Sequence, residues 1–144
     1  MGAVVAFDAV NVGDEVFSVP KVVKREDVKA YADASGDQNP LHQDDDFARS
    51  VGFPGIIAHG MFSMAHLVTA LKDWVGDPAA LRSISVQFRA VVYMDETLVA
   101  RGRVASKDEG SGEVTLDLWA DVERDGETIK AIKNSRALVR LDRK

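Results

Sequence analysis

The stretch that most constrains the fold of this chain is residues 60–75, GMFSMAHLVTALKDWV, which is apolar on almost every side of a helix. The polar or charged residues within it are Ser63, His66, Thr69, Lys72 and Asp73. A helix that is apolar on most of its faces is a buried helix, because it offers no wide polar face to water. At 1.5 Å per residue it would be ~22 Å long, about the width of a small sheet. We therefore expect the rest of the chain to enclose it.

The segments around this helix alternate apolar and polar residues with the period of two that is typical of β-strands. They are residues 15–23, 83–92, 97–104, 113–122 and 128–140. Their connections at 95–96, 109–112 and 125–126 are short, and the Asp-Gly of the last is a strong hairpin signal. Further helices are predicted over residues 24–34 and from the acidic run 44–46 to residue 50, where the acids suit the positive end of the helix dipole. One buried helix followed by four meandering strands predicts an α+β fold, an antiparallel sheet wrapped on the helix.

Length and composition indicate one globular domain, residues 1–144, with 46% hydrophobic and 28% charged residues. No apolar run approaches the roughly 20 residues that span a bilayer, and the N-terminus lacks the basic flank of a secretory signal. The absence of cysteine excludes disulfides and zinc–thiolate sites and is compatible with a cytoplasmic location. A net charge of -5 with scattered basic residues gives no indication of nucleic-acid binding.

The motif SGDQNPLH, residues 35–42, places Asp37 and His42 on either side of an Asn-Pro turn. A loop stiffened by proline can aim both side chains at one point, and a carboxylate with an imidazole makes an acid–base pair. The motif also has structural interpretations. Gly36 and Asp37 could be a helix C-cap and an Asx turn, and His42 an ordinary hydrogen-bonded histidine. Metal binding by Asp37, His42 and Asp44 is a further alternative, although their spacing matches no standard metal site.

Together with AHGM at residues 58–61 and Phe47-Ala48, this motif resembles the MaoC-type (R)-specific enoyl-thioester hydratases and dehydratases. The stretch VQFRAVVYMDETL, residues 86–98, is also similar to dehydratases of this kind. WVGDP, residues 74–78, resembles the B-subunit type of mycobacterial (3R)-hydroxyacyl-carrier-protein dehydratase. The resemblance implies the hot-dog fold, in which an antiparallel sheet wraps a long central helix. It also implies a hydro-lyase of fatty-acid metabolism that uses no metal and no redox cofactor.

Matched residue by residue, the resemblance implies that the catalytic groups are Asp37, His42 and the backbone N–H of Gly60. Hydration of a 2-enoyl thioester needs water at C3, a proton at C2 and a stabilised enolate oxygen. An Asp and a His that hold one water can handle both protons, and which residue carries which proton stays open. The first N–H groups of a helix suit the enolate oxygen, and glycine leaves room for the thioester carbonyl.

Further substrate-binding candidates are Asn39, Ile57, His59, Met61 and Ser63. Asn39 could touch the water or support the loop, His59 could shape the turn before Gly60, and Ser63 could cap the helix or line the pocket. His66 is interpreted as structural. The chain departs from some hydratases of the family at Val68, eight residues after Gly60, where those enzymes carry a serine that bonds the catalytic aspartate.

The expected substrate is an acyl-CoA or acyl-carrier-protein thioester, and the expected assembly is a homodimer or a heterodimer with a second hot-dog subunit. Dimerisation is expected because a five-stranded sheet with a half-covered helix exposes an edge and apolar surface. Two alternatives differ in class: a subunit that binds acyl thioesters with little activity alone, and a hot-dog thioesterase. Basic residues that could balance the phosphates of the substrate are Lys72, Arg82, Arg89, Arg101 and Arg103.

Overall fold

The computed structural model describes residues 5–36 and 38–142. Its helices are α1 (Arg25–Ser35), α2 (Asp45–Ser50) and α3 (Gly60–Val75). Its strands are β1 (Glu15–Val22), β2 (Leu81–Phe88), β3 (Thr97–Asp108), β4 (Glu113–Arg124) and β5 (Glu127–Arg140). Short 3-10 turns lie at Phe7–Ala9, Pro40–His42 and Pro78–Ala80. The predicted α+β class is confirmed, as is the predicted long helix over residues 60–75.

The central helix α3 is buried on one face only, so the expected enclosure of this helix is partial. Its buried residues are Phe62, Ser63, Leu67, Ala70, Leu71 and Val75, and its exposed residues include Met61, Ala65, Thr69, Lys72 and Asp73. Leu67 and Leu71 are completely buried on the helix, and they belong to one core with Leu98 and Leu116 of the sheet. The helix ends at Gly76, whose left-handed conformation (φ 85°) lets its N–H donate to the Lys72 carbonyl. The two layers, helix and sheet, thus share a single hydrophobic core.

The five strands form one antiparallel sheet in the order β1-β3-β4-β5-β2. Strands β3, β4 and β5 meander as predicted, but the prediction of four meandering strands is wrong for β2, which pairs with β5 at the far edge of the sheet. Within the sheet, the Phe17 ring of β1 packs directly against Gly102 of β3. A Cβ at position 102 would lie only 2.6 Å from that ring. This close approach lets Phe17 enter the core.

The second strand is also shorter than its sequence pattern predicted. It ends at Phe88 rather than at residue 92, because the N–H groups of Arg89 and Ala90 both donate to the Ala131 carbonyl and the ladder stops there. Residues 89–96 therefore form a loop of eight residues, where the sequence predicted a short connection at 95–96. This loop crosses the end of the sheet beside the N-terminus of α3, since Val92 O accepts the N–H of Ala58.

Of the helices formed by residues 5–36 and 38–142, none combines the length and the apolar character that a membrane-spanning helix needs.

Candidate active site

The segment that follows α1 is held by hydrogen bonds of its own residues. Gly36 ends the helix in the left-handed conformation (φ 78°), and its N–H donates to the Ala32 carbonyl. Asn39 accepts the N–H of Leu41 through its side-chain oxygen at 3.0 Å, which starts the 3-10 turn with Pro40 at its first position. The structural interpretations of Gly36 and Asn39 are thus confirmed. Asp37 lies outside the residues that the structure describes, so its role stays a prediction.

The imidazole of His42 is anchored to the segment before α3. Its Nδ1 lies 2.7 Å from the carbonyl oxygen of Ile57, fifteen residues away in the sequence. Because a carbonyl oxygen only accepts, Nδ1 carries the hydrogen and donates, which leaves Nε2 of the neutral ring as a proton acceptor. The Ile57 N–H donates back to Leu41 O at 3.0 Å, so two bonds tie the turn to this segment. The ring is thus held in the tautomer that a general base requires.

The first two carboxylates of the acidic run 44–46 also position this region. Asp44 caps α2 by accepting the N–H groups of Asp46 and Phe47. Asp45 instead accepts the N–H of Ile56 at 2.9 Å and pairs with Arg25 of α1 at 3.1 Å. The Ile56 N–H first, and then the Arg25 guanidinium, lower the pKa of the Asp45 carboxyl. The helix-dipole interpretation of the run therefore omitted a tertiary contact that holds the chain next to Ile57.

Three aromatic rings contact one another at this site. The His42 and His59 rings lie 3.8 Å apart with an interplanar angle of 21°, which is a stacked pair. The Tyr31 ring of α1 meets His59 at 4.9 Å and 60°. His59 is 2% exposed, so its side chain is part of the interior and not of a solvent-facing wall. That His59 helps to shape the turn before Gly60 stays a prediction, and its burial between other rings is consistent with it.

Gly60 begins α3, and His59 precedes it as the N-cap residue without a side-chain capping bond. The N–H groups of Phe62 and Ser63 donate to His59 O, at 3.0 and 3.3 Å. Within the part of the chain that the structure covers, the Gly60 N–H has no such backbone acceptor. It is one of the unsatisfied donors that every helix N-terminus presents. A Cβ at Gly60 would lie 3.3 Å from the Phe88 ring, so glycine keeps the approach to this amide open.

A cavity of about 270 Å³ joins these groups. Of the residues predicted from the sequence, His42, Ile57, Gly60 and Ser63 line it. Its other walls are Ala58, Phe88, Arg89, Ala90, Val91, Val92 and Ala131. Ser63 is 4% exposed and faces the cavity one helical turn after Gly60, which favours the pocket-lining interpretation over helix capping.

Three predicted substrate-binding residues do not line this cavity: Asn39, His59 and Met61. Asn39 is exposed and supports its turn, and Met61 is 52% exposed at the start of α3. His66, interpreted as structural, donates from Nε2 to the Val19 carbonyl at 2.8 Å. Burial disfavours the charged form of His66 and lowers its pKa, while the bonds to the backbone at Val19 and Leu98 act in the opposite direction.

Sequence reasoning missed most of the 88–92 wall, because the apolar alternation of residues 83–92 is that of a strand. The sequence singles out only Arg89 there, as one of several basic residues that could balance phosphate. The signal for a loop lies instead in a distant contact: Arg124 of β4 donates to the Val91 carbonyl at 3.1 Å and to both carboxylate oxygens of Glu96 at 2.6 and 2.7 Å. The Arg124 guanidinium also lies 4.3 Å from the Tyr93 ring centroid.

The Glu96 carboxylate is charged and well satisfied in this cluster. Burial alone would raise the pKa of Glu96, but the bonds from Arg124 and from the Tyr93 N–H outweigh it, and the pKa is lowered. The same pairing raises the pKa of Arg124. The hydrogen bonds of this cluster thus hold the loop at 89–96, which forms one wall of the cavity.

A larger concavity, about 840 Å³, lies on the outer face of the sheet around Trp119. Polar and charged side chains such as Arg103, Lys130 and Arg136 surround it, and no histidine lies there. We locate the candidate chemistry in the smaller cavity, which joins a histidine to a helix N-terminus. Among the side chains at positions 5–36 and 38–142, no cluster of three His, Asp or Glu residues could hold a metal ion.

Comparison with known proteins gives matches over most of the chain. The MaoC like domain family matches residues 9–122. A mitochondrial 3-hydroxyacyl-[acyl-carrier-protein] dehydratase of Arabidopsis thaliana is 38% identical over 99 residues, which cover 69% of this chain and 51% of that protein. The chain therefore spans about half the length of this curated relative.

Solved structures share the fold. An (R)-hydratase from A. caviae involved in PHA biosynthesis superposes with a TM-score of 0.81 and 25% identity, covering 92% of this chain and 98% of that one. The ChsH1-ChsH2 complex from Mycobacterium tuberculosis matches with a TM-score of 0.77 and 17% identity, covering 91% of this chain and 98% of the matched chain. The second structure is an assembly of two different chains.

Proposed function

The chain belongs to the family of MaoC-like domains, and from this premise we propose that it catalyses the reversible hydration of trans-2-enoyl thioesters to (R)-3-hydroxyacyl thioesters. The substrate would be carried by CoA or by an acyl carrier protein. The observation that carries the proposal is the meeting of the His42 imidazole and the N-terminal amide of α3 in one cavity. The hydratase and dehydratase names of its relatives support the same reaction in its two directions.

The base in this proposal is Nε2 of His42. Since Nδ1 donates to Ile57 O, Nε2 has a lone pair for the proton of a water molecule. The oxygen of that water adds to C3 of the enoyl group, and the electron pair of the C2–C3 double bond moves toward the thioester carbonyl. C2 then takes up a proton, so the net change is addition of H and OH across the double bond.

The Gly60 N–H is the proposed donor to the enolate oxygen that forms during this step. A backbone amide at a helix N-terminus is already oriented, and the partial positive charge of the helix end favours a developing anion. One such donor contributes roughly 3–4 kcal/mol to stabilisation of the transition state in other enzymes. Ser63, which lines the same cavity, is a second polar group available to the substrate.

Asp37 is proposed as the second member of the acid–base pair, on the strength of the SGDQNPLH motif. With His42 it would hold the water and share the transfer of its proton to C2. The family serine is replaced by Val68, so another group must orient this carboxylate. Asn39, Ser63 or a water molecule are the proposed substitutes.

The test is an assay of crotonyl-CoA hydration, which is monitored as the loss of absorbance of the conjugated thioester. Removing a general acid or base typically lowers a rate by 10²–10⁴-fold. We expect Asp37→Asn and His42→Gln each to lower kcat by at least about 100-fold while the circular dichroism spectrum and Tm remain normal. His66→Gln is the matched control, because it removes another ring-to-carbonyl bond away from the cavity. If both site variants kept the wild-type rate, the assignment of the site would be wrong.

A second candidate function is that of a thioester-binding subunit that needs a partner for activity. It is favoured by one observation, that the chain spans about half of a dehydratase relative. Activity of the purified chain alone would exclude it, and activity only after addition of another hot-dog subunit would support it. A thioesterase would instead release free CoA, which a thiol reagent detects; we expect no release.

A further inference from the structure

His59 occupies an unusual place for an imidazole. It is 2% exposed, and its ring contacts two others: His42, stacked at 3.8 Å and 21°, and Tyr31, tilted at 4.9 Å and 60°. Tyr31 in turn meets Phe62 edge-on at 5.9 Å and 85°. A continuous row of rings therefore runs from the turn that carries His42 to helices α1 and α3.

The hydrogen bond to Ile57 alone does not fix the plane of the His42 ring. A hydrogen bond tolerates a range of angles and the terminal torsion of a histidine is broad, so the ring could still rock about its Cβ–Cγ bond while this contact is kept. A flat partner at 3.8 Å removes this freedom, because tilting the ring would either clash with His59 or lose the stacking contact. Together the bond and the stack determine where Nε2 points.

The backbone of His59 is fixed at the same time as its side chain. Its carbonyl accepts the N–H groups of Phe62 and Ser63, and the next peptide N–H is that of Gly60. The residue that supports the His42 ring is thus directly bonded to the residue that supplies the proposed enolate donor. A shift of His59 would move the base and the donor relative to each other.

We propose that His59 is a positioning residue, whose ring sets the plane of the His42 imidazole and its alignment with the Gly60 amide. The inference rests on the proposed function of His42 and deepens it. What matters in this role is a flat ring, because the stacking contact is made by a ring face. Phenylalanine can therefore replace His59, whereas a side chain without a ring cannot.

The experiment compares His59→Phe with two variants without a ring, His59→Leu and His59→Gln, in crotonyl-CoA hydration. Small displacements of a catalytic group reduce rates by up to about 10²-fold, so we expect kcat to fall about 10–100-fold in both ring-less variants. We expect KM to change less than about threefold, because His59 does not line the cavity. His59→Phe is expected to restore kcat to within about threefold of wild type. His66→Leu is the control for loss of a half-buried histidine of α3 outside this stack.

A spectroscopic measurement on the free protein separates this inference from the function on which it rests. With labelled histidine, the ring protons of His42 should lie upfield of those of His66 in the wild type, because they sit over the face of His59. They should move downfield in the ring-less variants and stay upfield in His59→Phe. If the wild type does not hydrate crotonyl-CoA but shows this pattern, the function is wrong and the stack is right.

The positioning role would be overturned by any of three results. His42 ring protons that are not upfield in the wild type would mean that the stack is absent in solution. A kcat equal to wild type in His59→Leu or His59→Gln would mean that the stack does not matter for the reaction. A folded His59→Phe variant as impaired as the ring-less ones would mean that a flat ring is not what the site requires.

Discussion

At the scale of single residues, Ile57 is the link between the two halves of the candidate site. Its carbonyl accepts from His42 Nδ1, its N–H donates to Leu41 O, and it bridges to Tyr93 of the loop at 89–96. Three contacts thus converge on one backbone unit beside the start of α3. Backbone groups held in this way cost little reorganisation during a reaction, which favours electrostatic catalysis.

The substitution Gly60→Ala, which adds one methyl group, tests whether the Gly60 amide binds the enolate oxygen. The added Cβ would lie 3.3 Å from the Phe88 ring, which is 46% exposed and can move away, so Gly60→Ala is expected to fold with a free energy of unfolding within ~1 kcal/mol of wild type. The methyl group would stand at the amide and weaken its bond to the substrate. We expect kcat/KM for crotonyl-CoA to fall about 10–100-fold.

The control for this substitution is Gly110→Ala, in the turn after β3, where an added Cβ meets only the side chain of Asp108 at 3.4 Å. It should leave kcat/KM unchanged. An active Gly60→Ala enzyme with wild-type kcat/KM would remove the Gly60 amide from the mechanism.

At the scale of elements, the loop at 89–96 lines the cavity beside the start of α3 and is attached to the sheet through β4. The Glu96–Arg124 pair joins the start of β3 to the end of β4, and Arg124 also holds Val91 O. Their side chains are only 15% and 22% exposed, so the pair is sheltered from solvent and its geometry is bidentate. Ion pairs of this kind matter more than exposed ones, because removing one partner leaves a charge in a poorly solvated place.

The pKa of Glu96 predicts a pH dependence of stability. Because the pairing lowers the pKa of the folded carboxyl below that of the unfolded chain, its contribution is fully present above the unfolded value, near 4.5. It is lost as the pH falls through the lower, folded value. We expect Glu96→Gln to lower the free energy of unfolding by about 1–3 kcal/mol at pH 7, and the difference from wild type to shrink below pH ~4.

Urea denaturation at several pH values measures this difference. Asp33→Asn is the control, because it removes an exposed pair with Lys29 whose loss should matter much less. A Glu96→Gln variant as stable as wild type at pH 7 would show that packing alone holds the loop.

At the scale of the whole molecule, the sheet ends at β1 on one side and at β2 on the other. Large apolar side chains are exposed near the cavity and its neighbouring helices: Phe88 at 46%, Met61 at 52%, Val51 at 54% and Phe47 at 41%. An exposed strand edge and apolar surface are features that association with another sheet removes. We therefore propose a dimer, formed by two copies or with a second hot-dog subunit.

Light scattering coupled to size-exclusion chromatography tests this proposal. We expect the purified chain to elute with about twice the mass of its 15.6 kDa monomer, or to do so after a partner subunit is added. Phe88→Glu should shift the population toward monomer, because burying a charge without a partner is unfavourable. Ser18→Glu, in β1 at the opposite edge, is the control. A strict monomer under all conditions would contradict the proposed assembly.

Local sequence patterns were sufficient to predict the central helix and the turn that follows α1. The apolar stretch 60–75 forms a helix that buries one face, and the glycine at 36 and the Asn-Pro at 39–40 end one helix and start a turn. These outcomes depend on interactions between residues a few positions apart, which periodicity and turn chemistry report directly. The family was likewise predictable from the SGDQNPLH and AHGM motifs, because the residues within each motif are consecutive in the sequence.

The tertiary structure alone decided which neighbours these elements have. Alternation in residues 83–92 predicts a strand but not that it crosses to β5 or that it stops at Phe88. The pairing depends on residues 132–139 of β5, and the end of the strand depends on the Ala131 carbonyl, about forty residues away. The same holds for the His42 tautomer, which Ile57 O determines, and for the contacts of the His59 ring with His42 and Tyr31. Hydrogen bonds and ring contacts between distant segments leave no local period in the sequence, so only the folded chain reveals them.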